Sequence, residues 1–136
     1  MLKQTPTTSP NLLTFEFANG LRLTLPELQT TLTPGDALAL NLVWSPTRPL
    51  ADHYTIFLHA QAEDGALIAG RDSEPNNGSA FVTNWKVGER YTELRGVLIP
   101  PDTPPGRYVL SIGLYKTATG EVDQAGPKGV GAVVVK

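Results

Sequence analysis

The residues of this chain whose types could do chemistry are two histidines, a run of oxygen-bearing side chains and a few aromatics. His53 and His59 bracket most of the stretch His-Tyr-Thr-Ile-Phe-Leu-His-Ala-Gln-Ala, residues 53–62. Read as a strand, it separates the two imidazoles by about 20 Å, too far for one metal ion to bind both. His59 falls on a mixed face with Phe57 and Gln61, without a nucleophile motif such as G-x-S-x-G. The plainer reading is a histidine hydrogen-bonded to a neighbouring strand or loop. Asp72, Glu74, Asn76 and Asn77 crowd one segment with the oxygen donors that calcium takes. Their spacing is not that of an EF-hand loop and Pro75 stiffens the middle, so a capped, solvated turn competes with a calcium site.

A sugar packs its C–H face on an exposed aromatic ring while polar groups at the rim take its hydroxyls. Trp44, Trp85, Tyr91 and Tyr115 are the aromatics to weigh for that role. Trp44 shares its strand face with Leu38, Leu40 and Leu42 and reads as core. Trp85 follows a polar loop and precedes a turn, a setting that suits a plug at the end of the fold. Tyr115 faces away from Ile112 and Leu114, toward the surface. The candidate ligand-binding set is therefore Asn41, Phe57, His59, Gln61, Trp85 and Tyr115. Glycoside hydrolysis would need two carboxyl groups across a cleft. Glu63 and Asp64 sit in one turn, Glu121 and Asp123 near another, and both pairs read as solvated. The run 126–131, Gly-Pro-Lys-Gly-Val-Gly, has no helix after it to hold a phosphate. No residue is assigned to catalysis and no cofactor is expected.

The elements that must position these residues are strands. Twelve prolines and 13 glycines along 136 residues leave little room for long helices. Leu38, Leu40, Leu42 and Trp44 alternate with smaller or polar residues, as do Tyr54, Ile56 and Leu58, and Tyr108, Leu110 and Ile112. Period two over such runs marks strands with one buried face. Residues 13–17 and 21–25, joined at Asn19-Gly20, form a hairpin; 66–72 returns antiparallel to 54–62; 90–99 and 130–135 complete the set. About eight strands between turn signals predict an all-β, two-layer antiparallel sandwich of Greek-key type, immunoglobulin-like or, alternatively, a jelly roll. The polar, proline-rich residues 1–11 read as a flexible leader or linker remnant before a single domain at 12–136.

Composition narrows the function. The net charge is −2 and the 11 Lys and Arg are scattered, which argues against a nucleic-acid surface. No apolar run approaches the ~20 residues of a membrane span, so this domain is not expected to insert. With no cysteine, disulfides and thiolate sites are out.

Several short segments occur in a telling order: residues 54–59 (Tyr-Thr-Ile-Phe-Leu-His), Asp64-Gly65, Asp72 with Pro75, and Trp85 with Gly88-Glu89. Pro105-Gly106-Arg107-Tyr108, Gly113-Leu114-Tyr115 and Thr119-Gly120 follow. In this the chain, over residues 12–136, resembles the soluble β-sandwich domain appended to polytopic membrane glycosyltransferase-like proteins of bacteria such as the Chloroflexi. It departs from that pattern at Ala60, at Val82-Thr83 and at Val122-Asp123. The resemblance implies a non-catalytic, extracytoplasmic accessory domain that binds a glycan or a protein partner, and it supplies no site residues. The rival expectation is a structural spacer or interaction domain without a small-molecule ligand, and a more remote one is a hydrolase with its site at the loop ends.

Overall fold

The computed structural model describes residues 2–3, 12–75 and 82–136. Period-two burial produces two sheets stacked on one interior. One sheet holds β2 (Leu12–Glu16), β3 (Leu21–Pro26), β5 (Ala37–Pro46) and β8 (Tyr91–Leu98) in that order, with β1 (Leu2–Lys3) against β5. The other runs β4 (Leu28–Leu32), β10 (Lys128–Val135), β9 (Gly106–Lys116), β6 (Tyr54–Ala62), β7 (Leu67–Ser73). The chain passes repeatedly from one sheet to the other, including between β7 and β8, so the connections are of Greek-key kind and not a meander.

The three alternating runs meet as predicted. Leu38, Leu42, Trp44, Ile56, Leu58, Leu110 and Ile112 are all fully buried in a single cluster with Tyr54 and Tyr108. Two strands lie outside the predicted set, β1 and β4, and both pair in parallel, β1 with β5 and β4 with β10. The sandwich is thus mixed at these two places and antiparallel elsewhere. In β4, Leu28 and Leu32 are buried while Gln29 and Thr31 face water. Only two large apolar groups, between Pro26 and Pro34, mark that strand in the sequence. Of the leader, Leu2–Lys3 form β1; residues 1 and 4–11 lie outside the described residues.

Strand β8 presents the inverse of what hydropathy suggests. Glu93 and Arg95 point inward with Val97, while Leu94 and Leu98 are each 58% exposed.

Candidate functional site

The outward face of β7, β6 and β9 gathers four of the predicted residues or their neighbours. Registration places Phe57 between Gly113 and Asp72, and His59 between Ser111 and Gly70. Glycines in mid-strand mark a close approach, and here each is the bed of a ring. A Cβ on Gly113 would stand 2.1 Å from Phe57 Cζ, and one on Gly70 would stand 3.1 Å from His59 Cδ2. Tyr115, opposite Thr55, completes a row. The Phe57 ring centroid lies 4.6 Å from that of His59 and 6.1 Å from that of Tyr115.

One carboxylate spans this row. The Tyr115 hydroxyl donates to Asp72 Oδ2 at 3.1 Å, and His59 Nε2 lies 3.5 Å from Asp72 Oδ1. Asp72 is the more open member, its side chain 42% exposed against 27% for His59, whereas Phe57 is only 5% exposed and forms the floor. Burial first, and then the bond to Asp72, raise the Tyr115 phenol above its usual pKa. The phenol therefore stays a donor across neutral pH. Beside the row, Ser111 and Gly129 share the same face, with Val109 and Ala132 on the next rung.

The site has a foundation on the other sheet. Arg95, buried on β8, donates to the carbonyls of Ile56 at 3.0 Å, Arg71 at 3.4 Å and Ser73 at 3.1 Å. Arg71 and Ser73 flank Asp72, and Ile56 precedes Phe57, so the guanidinium grips the backbone under both. Glu93 holds it in place at 2.6 Å and accepts the Trp44 indole N–H at 3.0 Å. Two charged residues inside a run of alternation are the available sequence signal for this network; their apolar neighbours Leu94 and Leu98 mask it.

The other predicted residues are elsewhere. Gln61 lies on the same face but at its end, where its amide donates to the Gly65 carbonyl at 3.4 Å. Asn41 is exposed on β5, opposite Leu94, on the far side of the sandwich from Phe57. Trp85 is 8% exposed and stacks on Tyr91 at 4.5 Å, so it plugs one end of the core and offers no free ring to a ligand.

The proposed calcium donors do not converge among the described residues. Asp72 is turned to Tyr115 and His59, while Glu74 Oε1 lies 3.4 Å from His53 Nδ1; Asn76 and Asn77 fall outside the described residues. No group of three His, Cys, Asp or Glu able to hold a metal occurs among the described residues. Asp123, read as solvated, is tied in: it accepts from the backbone N–H groups of Ala18, Asn19 and Ala125 at 2.8–3.0 Å. It pins the β2–β3 turn to the loop after β9. No helix of the described residues is long and apolar enough to cross a membrane.

No family model matches the chain, and no curated protein does. Solved structures do match. The C-terminal domain of Wzt superposes with a TM-score of 0.57 at 13% identity, over 98% of this chain and 82% of that one. A family 123 glycoside hydrolase from Clostridium perfringens, described for glycolipid glycan hydrolysis, gives 0.53 at 14% identity over 80% of this chain. What is shared is the fold. The chain spans 22% of the length of that hydrolase.

Proposed function

We propose that this domain binds glycan without cleaving it, on the outward face of β7, β6 and β9. The observation that carries the reading is Asp72, held across the Phe57 ring by Tyr115 at one end and His59 at the other. A preoriented carboxylate accepts two hydroxyl groups of a sugar, and the neighbouring rings take its C–H face. Tyr115 and His59 contribute the accessible aromatic surface, with Ser111 beside His59.

Its fold likeness to a hydrolase described as acting on glycolipid glycan supports the substrate class. The acids weighed for glycoside hydrolysis have other work, which supports a binding role. Glu63 faces Arg107 at 3.9 Å, Glu121 faces Lys116 at 3.5 Å, and Asp123 caps backbone N–H groups. The extracytoplasmic accessory role, beside a membrane glycosyltransferase-like system, belongs to the same proposal and rests on the order of the sequence motifs. A spacer without ligand is favoured by one observation, the 5% exposure of Phe57, which leaves a small apolar platform.

A glycan array followed by calorimetry separates the two. The expected result is saturable binding by the native domain, weakened about tenfold or more by Asp72→Ala and by Tyr115→Ala, as loss of a charged hydrogen bond entails. A folded native domain that is silent across the array would refute it in favour of the spacer.

A further inference from the structure

The opposite face of the sandwich carries a second site of different chemistry. On the outward side of β2, β3, β5 and β8, registration sets Glu16 beside Arg22 and Arg22 beside Ser45. Arg90 directly precedes Tyr91, the partner of Trp44 at the end of the β5–β8 register, and lines the same cleft as Arg22 and Ser45. Two arginines and one short hydroxyl side chain are thereby gathered at one place on this face. They line a cleft of about 470 Å³ whose walls hold four hydroxyl side chains, Thr24 among them, and no carboxylate. Exposed Val87 forms part of the wall. Glu16 stands at the rim and engages only the Nε and Nη2 side of Arg22, at 3.1 and 2.5 Å. Arg90 makes no ion pair among the described residues.

We infer that this cleft is an oxyanion site, in which Arg22 and Arg90 close from either side on a phosphate, sulfate or carboxylate seated over Ser45. The planar, multi-donor fork of arginine suits such groups better than a lysine does. An anion also supplies a counter-charge to Arg90, which, unlike Arg22, has no ion pair among the described residues. Hydroxyl side chains supply further donors to its remaining oxygens. The inference stands apart from the glycan platform, because no residue is common to the two faces. An acidic substituent on a saccharide and a phospholipid headgroup present the same chemistry to this cleft.

The test is an NMR titration of the full chain with inorganic phosphate, ionic strength held constant with chloride. Expected are saturable amide shifts at Ser45 and Gly88, with an affinity reduced about tenfold by Arg90→Gln and similarly by Arg22→Gln. Asp72→Ala, on the other face, leaves the titration unchanged. Shifts that grow without saturating, or that survive both arginine substitutions, would overturn the inference. Parallel titrations with a sugar phosphate and with phosphatidylglycerol vesicles tell the sources apart. Failure of the glycan array leaves this result untouched, and failure of the phosphate titration leaves the glycan platform untouched.

Discussion

Arg95 and Glu93 meet at 2.6 Å in the core, with side chains 2% and 3% exposed. The pair lies on β8, yet through three carbonyls it holds β6 and β7 on the opposite sheet. A buried charge is tolerated only with its partner and its hydrogen bonds in place. Arg95→Ala should lower the unfolding free energy by about 3–5 kcal/mol, read from urea denaturation. The double variant Glu93→Leu/Arg95→Met, which removes both charges, should recover much of that loss. Full recovery is barred by the Trp44 indole N–H, left without its acceptor.

Gly113 is expected to resist any side chain. Alanine there drives a Cβ into the Phe57 ring, whose Cζ would lie 2.1 Å away. Gly113→Ala should cost about 1–3 kcal/mol by overpacking. In a Phe57→Ala background the same change should cost much less, because the obstructing ring is gone. A thermodynamic cycle over the four proteins checks it.

The Tyr115 phenol should show itself at alkaline pH. Its pKa is raised above the ordinary 10.0, first by burial and then by the bond to Asp72. The stability this contributes is complete below the ordinary value and is lost as pH rises through the raised one. Tyr115→Phe should therefore flatten the fall in urea midpoint above about pH 10. Asp72→Asn should retain part of the rise, since burial is its larger cause. Tyr54, also raised by burial and by Asp52, keeps a residual slope in both variants.

Asp123→Ala should unpin the β2–β3 turn. Three backbone N–H groups lose an ionised acceptor, at a cost of about 1–3 kcal/mol. Faster hydrogen exchange at Ala18 and Asn19 than in the native chain localises the effect.

Asn41→Ala should leave glycan affinity unchanged, as measured by calorimetry beside Asp72→Ala. Asn41 faces outward on β5, with the whole sandwich between it and Asp72.

Much of the architecture was legible because burial of one strand face writes a period of two into the chain. Leu38 to Trp44, Tyr54 to Leu58 and Tyr108 to Ile112 carry four or three large apolar groups each, and all reach the interior. Strand β4 escaped notice because Leu28 and Leu32 are its only large apolar residues, and its pairing is parallel to a strand near the other end of the chain. On β8 the alternation points the wrong way. Shifting a strand by one residue exchanges its two faces, and here the buried Glu93–Arg95 pair, with its bonds to Trp44 and to three carbonyls, outweighs the exposure of Leu94 and Leu98.

The candidate site divides along the same line. Phe57, His59 and Gln61 share a strand face by covalent geometry alone, so alternation already set them together. Alternation says nothing about which strand lies alongside. It left Asn41 in the same set as His59, and it left Asp72 among hypothetical calcium ligands.

By itself the sequence determined most of the strands, the buried faces of β5, β6 and β9, and the outward placing of Phe57, His59 and Tyr115, because side-chain alternation is a local property. Tertiary structure alone decided that Asp72 reaches both His59 and Tyr115, that Arg95 grips the backbone beneath them, and that Arg22 and Arg90 line one cleft. Those arrangements join residues distant along the chain, and only the order and register of the strands bring them together.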